Sequence, residues 1–196
     1  VLSFVRGDSI EVLNELVAQA DSIVHLAGEN RPADIADFTI VNINLTRSLC
    51  EAIVATGRNI PLILASSTQA ESDTLYGQSK RTAEQIVEGY ATETGNHAVI
   101  YRLPGVFGKW CKPNYNSVVA TFCHNIARDL PIQVNDAEAT LLLAYIDDVV
   151  DEFIRVLKDV QSGLVWSKIE QTFTLTLGEL SVQIAAFHNC RTSLNS

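Results

Sequence analysis

The sequence predicts an α/β domain with a doubly wound parallel sheet, and three features of the chain support this prediction. Short apolar runs alternate with amphipathic segments that are long enough to form crossover helices. The apolar runs lack the polar alternation of a half-exposed strand, so both faces of the sheet should be covered. Small and polar residues follow these runs, at the strand ends where ligands bind in such sheets.

The first half of the chain alternates regularly between predicted strands and helices. Asp8 and Glu11 are candidates to cap the first helix, and Gly95 is placed to end the third. Each predicted helix has apolar residues at three- and four-residue steps. The predicted strands are 1–5, 21–28, 61–67 and 98–103, and the predicted helices are 8–18, 38–57 and 76–94.

The alternation becomes less regular from Gly108 onward. Thr176 and Glu179 have the spacing of a capping box, which predicts the start of the last helix. The tail after this helix is polar, and we expect it to fray. The remaining predicted helices are 118–128, 147–158 and 177–187, and the remaining predicted strands are 132–134 and 140–145.

Composition excludes several classes of protein. The 196 residues are 47% hydrophobic and 19% charged, which is typical of one globular domain or most of one. The net charge of −9 argues against binding to nucleic acid or to an anionic membrane surface, and no apolar run approaches the length of a membrane span. The four cysteines lack pairing or metal-ligand spacing, so we predict no metal site and expect reduced thiols in a cytoplasmic protein.

Tyr76 and Lys80 lie four residues apart, so they share one face of the predicted helix. Ala83 and Val87 continue this face as an apolar stripe, which should turn toward the interior. A buried cation beside a phenol favours the phenolate, whose ordinary pKa is about 10, and would make proton exchange easier near neutrality. The alternative is a lysine that reaches solvent past the tyrosine ring without any chemical role.

Ser67, Tyr76 and Lys80 form an ordered set, with a hydroxyl residue at a strand end followed by the tyrosine and the lysine at a helix start. In this set the sequence resembles the extended short-chain dehydrogenase/reductase family, also called the NAD-dependent epimerase/dehydratase family. Further segments match the family in order, so that the resemblance covers nearly the whole chain. They are His25–Gly28, Asn42, Arg102–Gly108 and Tyr145–Val150.

Three further segments resemble one branch, the bacterial reductases of capsule and O-antigen synthesis that act in UDP-N-acetyl-L-fucosamine formation. They are Asn30–Pro32, Ser66–Ala70 and Phe107–Ser117. The resemblance implies an NADPH-dependent reductase of the 4-keto group of a UDP-linked 6-deoxy-N-acetylamino sugar, homodimeric in its full-length form. In that branch a metal-binding cupin domain follows, and this sequence ends before it, so no metal is carried over.

The resemblance assigns a role to each member of the catalytic set. Tyr76 would protonate the carbonyl oxygen as hydride arrives, and Ser67 would hold that oxygen. Lys80 would lower the tyrosine pKa and hydrogen-bond the nicotinamide ribose. The implied cofactor-binding residues are Arg6, Leu26, Ala27, Gly28, Asn42, Tyr76, Lys80, Leu103 and Pro104. The implied substrate-binding residues are Arg31, Ser67, Gln69, Lys109, Trp110, Asn114, Asn116 and Ser117.

Two of these assignments have alternatives. Arg6 follows a predicted strand, where an arginine fits the 2′-phosphate of NADP, but Asp8 keeps NAD open and a solvated turn arginine is equally consistent. Lys109, together with Arg31, would pair with a diphosphate, and Trp110 would stack on a uracil or a sugar. The alternative for Trp110 is an anchor in a solvated loop.

Thr68 and Gln69 follow Ser67 where related dehydratases carry an acidic pair, so elimination is not predicted. Ketone reduction or 4-epimerisation through a ketone remains, and a non-catalytic nucleotide- or partner-binding domain of the same fold is a further alternative.

The resemblance implies a Rossmann-type fold truncated at its N-terminus, because the first strand and the glycine-rich loop that cradles the pyrophosphate are missing. We therefore expect an incomplete dinucleotide-binding core at 1–107, a substrate-binding part at 108–188 interleaved with it and a tail at 189–196. We expect these 196 residues alone to bind NADPH weakly and to turn over little.

Overall fold

A computed structural model describes residues 1–159 and 161–193. The chain divides into two compact units. The first unit comprises Val1–Leu103 and Phe153–Lys168. The second comprises Pro104–Glu152 and Ile169–Ser196, of which the structure describes residues as far as 193. We predicted that residues 1–107 bind the cofactor and residues 108–188 the substrate. This remains a prediction, because the division into two compact units does not show which ligand each unit binds.

The first unit contains a four-stranded parallel sheet, in the order β1-β2-β3-β6. Its strands are β1 (Ile23–His25), β2 (Leu62–Ser67), β3 (Ala98–Leu103) and β6 (Leu164–Ser167). Every neighbouring pair in this sheet is parallel, which confirms the predicted α/β class. Since Ser67 is in register with Leu103, β2 and β3 end at the same edge of the sheet.

Three helices pack in the first unit: α1 (Ile10–Gln19), α2 (Leu45–Ala55) and α3 (Leu75–Thr94). Leu13, Ile53 and Val87, one from each helix, are buried in the same apolar cluster as the strand residues Leu62 and Leu64. Burying side chains of this size stabilises the fold by about 1.5–3 kcal/mol each. Gly95 ends α3 in the left-handed region at φ 71°, as its position in the sequence predicted.

The second unit contains a three-stranded mixed sheet and two helices that lie wholly within it. β5 (Thr140–Tyr145) pairs in parallel with β4 (Gly105–Phe107) and antiparallel with β7 (Phe173–Thr176). Thr176 and Glu179 form the predicted capping box, with N···O distances of 2.7 and 3.1 Å. The two helices are α4 (Val118–Ile126) and α6 (Leu177–Ser193). A further helix, α5 (Ile146–Lys158), contributes residues to both units.

Several sequence predictions about local structure were wrong. Residues 1–5 and 132–134 form no strand, because a strand requires a hydrogen-bonded neighbour and neither segment pairs with one in the described chain. Residues 189–193 continue α6 rather than fraying, and residues 194–196 lie outside the described chain. Ser9, not Asp8, is the N-cap position of α1, since the Asp8 carboxylate accepts the backbone N–H of Val5 at 2.8 Å.

The predicted helix 38–57 has a first part that sequence periodicity did not reveal. Phe38–Asn44 is a π-helical segment, and α2 continues from it without a break. Such wide turns are rare and often mark functional sites, because they redirect the side chains that follow. Within the described residues, the helices are too short or too polar for any of them to cross a membrane.

Candidate active site

Ser67 and Tyr76 meet at the carboxyl end of β2. Ser67 is the last residue of that strand, and Tyr76 lies in the first turn of α3. The Ser67 side chain lies close enough to the Tyr76 phenol to lower its pKa, and Ser67 Oγ accepts the backbone N–H of Gln69 at 3.2 Å. Gln69 lies in the 3-10 segment Thr68–Glu71 and is exposed. A half-buried phenol and a serine hydroxyl thus lie at the same end of β2.

The start of α3 is fixed by a cap and by a glycine. Thr74 is the N-cap, and its hydroxyl accepts the backbone N–H of Gly77 at 3.0 Å. A methyl group on Gly77 would collide with the backbone carbonyl oxygen of Gln69 and would lie 2.6 Å from that of Ser72. Only glycine therefore lets the first turn of α3, which carries Tyr76, pack this closely on the segment after β2.

We expect Gly77→Ala to destabilise the protein by about 1–3 kcal/mol, because the added methyl meets backbone atoms that can move only with their segment. The variant should also move Tyr76 away from Ser67, since α3 must shift to accommodate the methyl group. Chemical denaturation measures the first effect. Gly89→Ala is the matched control on the same helix, where a Cβ meets nothing within 4 Å. It should gain about 0.5–1 kcal/mol, and equal losses in both variants would contradict the prediction.

Lys80 is buried beneath the same edge. Its side chain is 4% exposed, and Nζ donates to the backbone carbonyl oxygen of Ala65 on β2 at 2.7 Å. Nζ also lies 3.5 Å from the position that a Cβ on Gly28 would occupy. Burial lowers the pKa of Lys80 to about 8, and the charge of Glu84 acts in the opposite direction. A lysine that reaches solvent past the ring is therefore the wrong interpretation.

The pKa of Tyr76 departs from the expected direction. Burial raises the pKa of the phenol, and the hydrogen bond with Ser67 lowers it only in part. The expected net lowering of the phenol pKa is wrong for this structure, because burial outweighs the hydrogen bond with Ser67, and the contribution of Lys80 stays a prediction. The raised pKa keeps Tyr76 protonated at neutral pH, which is the form that a proton donor requires.

Asn42 connects three elements around the site. Its side-chain Oδ1 accepts the backbone N–H of Glu29 at 2.7 Å. Its Nδ2 donates to the Glu29 carbonyl at 2.9 Å and to Ser79 Oγ at 2.8 Å. Ser79 in turn donates to the Tyr76 carbonyl at 2.7 Å. The structure thus gives Asn42 a scaffolding role between the loop after β1 and the start of α3, and its predicted contact with a cofactor remains a prediction.

His25 is buried at the end of β1 and contacts Thr46 at 2.9 Å through Nε2. The Thr46 hydroxyl donates its proton to the Asn42 carbonyl at 2.8 Å, so His25 Nε2 must be the donor. Burial, followed by the charge of Lys80, lowers the pKa of His25 to about 4. His25 is therefore a neutral structural residue at physiological pH.

Arg6 forms an ion pair rather than standing free. Its guanidinium lies 2.6 Å from the Glu29 carboxylate, with the arginine side chain 75% exposed. The same carboxylate accepts the backbone N–H groups of Asn30 at 3.1 Å and Arg31 at 3.3 Å. Glu29 therefore organises the loop after β1, and the hydrogen bond from Arg6 lowers the pKa of Glu29. The predicted contacts of Arg6 with cofactor and Arg31 with substrate stay predictions.

A second polar cluster adjoins Lys80, and the sequence reasoning missed it. Glu84 is buried and accepts hydrogen bonds from Ser66 Oγ at 2.5 Å and from Arg102 at 2.8 and 3.0 Å. One signal was present in the sequence. Glu84 interrupts the apolar stripe four residues after Lys80, as that lysine itself does after Tyr76.

The first unit therefore brings together the central residues that were predicted. They are Gly28, Asn42, Ser67, Tyr76 and Lys80. Leu26 and Ala27 lead into Gly28 and are exposed, and Leu103 ends β3 at the same edge as Ser67.

Residues 104–117 belong to the second unit and carry the cofactor candidate Pro104 and the substrate candidates Lys109, Trp110, Asn114, Asn116 and Ser117. Trp110 is 98% exposed with φ 65°, and Lys109 Nζ lies 2.7 Å from the Asp147 carboxylate. Ser117 caps α4 through its hydroxyl, and Asn114 and Asn116 are exposed. A diphosphate would have to compete with Asp147 for Lys109. The substrate role of these residues stays a prediction.

Comparison with known proteins shows extensive similarity. The family model described as "NAD dependent epimerase/dehydratase family" matches residues 3–167. A UDP-2-acetamido-2,6-beta-L-arabino-hexul-4-ose reductase of Pseudomonas aeruginosa is 48% identical over 196 residues, covering 100% of this chain and 53% of the relative. The crystal structure of the capsular polysaccharide assembling protein CapF from Staphylococcus aureus is 38% identical with a TM-score of 0.78, covering 93% of this chain and 49% of that chain.

A UDP-glucose 4-epimerase of Thermus thermophilus, solved as a complex with NAD, shares the fold at 18% identity with a TM-score of 0.76, covering 92% of this chain and 67% of that chain. The chain spans about half the length of the curated reductase and of CapF. The family match alone covers most of the chain and includes the whole cluster around Ser67, Tyr76 and Lys80.

Proposed function

Because this chain belongs to the NAD dependent epimerase/dehydratase family, we propose that it reduces the 4-keto group of a UDP-linked 6-deoxy-N-acetylamino sugar with NADPH. The reaction would supply precursors of capsular or O-antigen polysaccharide. The observation that carries the proposal is the Tyr76 phenol, whose pKa is raised by burial, next to Ser67 and on the same helix face as the buried Lys80. The identity to a protein named as a hexul-4-ose reductase supports the choice of substrate.

The residues at the sheet edge fit a nicotinamide nucleotide. Leu26, Ala27 and Gly28 leave their backbone exposed beyond β1, and the Lys80 ammonium lies beneath Gly28. Lys80 has donors beyond the one that it gives to Ala65, so it can also hold a ribose hydroxyl. When bound, the nicotinamide supplies the hydride that reaches C4 of the sugar.

The side chains of this unit handle the proton and the developing charge. Tyr76 transfers its phenolic proton to O4 as the C4=O bond becomes a C–OH bond. Ser67 donates a hydrogen bond to the same oxygen and stabilises negative charge that develops there. The positive charge of Lys80 favours the phenolate that remains on Tyr76, and solvent later returns the proton.

The preference for NADPH over NADH rests on Arg6. Its guanidinium is mostly exposed and lies at the end of the segment that precedes α1, so a 2′-phosphate can approach it alongside Glu29. In the second unit, Lys109 and Trp110 would bind the diphosphate and the base or sugar of the substrate. We also propose that the protein acts in the cytoplasm as a homodimer.

The same Ser67, Tyr76 and Lys80 would serve a 4-epimerase, in which the hydride leaves and returns to one substrate. This alternative gives no net oxidation of NADPH. A non-catalytic nucleotide-binding domain would not need Ser67, Tyr76 and Lys80 together, so their presence favours an enzyme.

The test uses the protein expressed from its complete coding sequence, incubated with NADPH and the UDP-linked 4-keto sugar. We expect one NADPH to be oxidised for each ketone reduced, and no oxidation with the matching UDP-N-acetylamino sugar that carries a 4-hydroxyl group. Interconversion of 4-hydroxyl epimers without net oxidation would replace the reductase by the epimerase. If the protein binds NADPH but catalyses neither reaction, both the reductase and the epimerase proposals are wrong.

A further inference from the structure

Three successive residues at the end of β2 interact with three residues of α3 that are spaced four apart. The side chain of Ser67 lies close enough to Tyr76 to lower its pKa, and the carbonyl of Ala65 accepts from Lys80 at 2.7 Å. The third pair is Ser66 Oγ and the Glu84 carboxylate at 2.5 Å. The two catalytic contacts are thus followed along the helix by a third contact that the proposed chemistry does not use.

Glu84 is a buried carboxylate with a fixed cationic partner. It is 2% exposed, and burial of a lone carboxylate is strongly unfavourable. Arg102 compensates the charge through Nε at 3.0 Å and Nη2 at 2.8 Å, which is a two-point contact with fixed direction. The guanidinium also lies over the ring of Trp166, with its carbon 5.1 Å from the ring centroid. Glu84 is therefore held rigidly next to the end of β2.

Arg102 is shared between two carboxylates, because Nη1 also lies 2.9 Å from Glu71. One guanidinium between Glu71 and Glu84 leaves a net negative charge in this cluster. Lys80 lies one helical turn before Glu84 and forms no ion pair of its own in the part of the chain that is described. The two residues therefore complement each other in charge across one turn of α3.

We propose that Glu84 is a positioning residue for the reductase reaction proposed above, which fixes the end of β2 against α3 and keeps Lys80 in its ammonium form. The expected effect of Glu84 on catalysis rests on the proposed function. Its effect on the position of β2 and on the charge of Lys80 rests on the geometry alone. The other titratable residues around the site do not supply the same charge. His25 of β1 is neutral above about pH 4, Glu29 is paired with Arg6, and Tyr76 is protonated.

Glu84→Gln retains the shape of the side chain and removes its charge. We expect the alkaline limb of the kcat/KM profile, which reports loss of the Lys80 proton, to move to lower pH by roughly half a unit or more. We expect kcat to fall at least fivefold. Ser66→Ala removes one bond to the carboxylate without changing its charge, so it should lower kcat and leave the limb in place. Glu88→Gln, an exposed position one turn further on α3, is the control that should change neither.

A second measurement does not require turnover. The NMR titration of the Lys80 side chain should shift to lower pH in Glu84→Gln by the same amount, and should not shift in Glu88→Gln. If both the profile and the titration are unchanged in Glu84→Gln, the inference is wrong while the reductase can stand. If the parent protein reduces no ketone but the titration shifts, the reductase is wrong and the charge-setting role of Glu84 stands.

Discussion

Replacing Tyr76 with phenylalanine is expected to lower the rate of ketone reduction by a factor of roughly 10²–10⁴. The change removes a single oxygen, which is both the proposed proton donor and the group whose pKa Ser67 lowers. The ring remains, and its tilted packing against Phe38, with centroids 6.2 Å apart, should hold α3 in place. Because the loss concerns proton transfer, kcat should fall while the dissociation constant of NADPH stays within about threefold. Steady-state kinetics and a cofactor titration measure the two quantities.

Tyr90→Phe provides the control on the same helix. The Tyr90 hydroxyl accepts from Asn96 at 2.9 Å, so its loss should reduce stability by about 1 kcal/mol and leave kcat unchanged. Retention of more than a tenth of the parent kcat in Tyr76→Phe would remove the phenol from the role of proton donor. An equal loss of kcat in Tyr90→Phe would show that the effect is structural.

The grouping of Ser67, Tyr76 and Lys80 was predictable because its information is local. A tyrosine and a lysine four residues apart must share a helix face, whatever the rest of the fold does. The apolar stripe that follows them indicated that this face is buried, and Lys80 is 4% exposed. Ser67 was predictable for the same reason, because it ends an apolar run in a parallel sheet. The predicted parallel strands at 21–28, 61–67 and 98–103 are present in the sheet, although β1 is shorter than the apolar run 21–28 that predicted it.

Features that depend on distant partners could not be predicted. Pro104 and Gly105 indicate a break, yet Gly105 begins β4, which pairs with β5 from Thr140 onward. A Cβ on Gly105 would lie 3.0 Å from the Leu143 side chain, so the glycine marks a close approach that its own segment does not reveal. The direction of the Tyr76 pKa shift was missed for the same reason. It depends on how far the folded chain buries the phenol, and spacing along the helix does not report that.

Lys80→Met is expected to make the folded protein more stable and the enzyme inactive. The unfolded lysine has a pKa of 10.5 and the folded one about 8, so at pH 7 burial of the charge disfavours folding by about 3 kcal/mol. Methionine fills the same space without charge, but it leaves the Ala65 carbonyl without this donor, which costs about 1 kcal/mol. The net gain should be about 1–2 kcal/mol at pH 7. Ketone reduction should fall at least a hundredfold, since the phenolate of Tyr76 loses its stabilising cation.

The pH dependence separates this explanation from a general gain in packing. Between pH 8 and 10.5 the unfolded lysine binds more protons than the folded one, so the parent protein becomes more stable as pH rises through this window. The advantage of Lys80→Met should therefore be largest at pH 7 and should disappear near pH 10, as measured by chemical denaturation. Lys158→Met, at an exposed position, is the control and should show no such trend. A variant that is less stable than its parent at neutral pH would mean that the bond to Ala65 outweighs the burial of the charge. In that case Lys80 would stabilise the fold, and its place in the site would not by itself indicate catalysis.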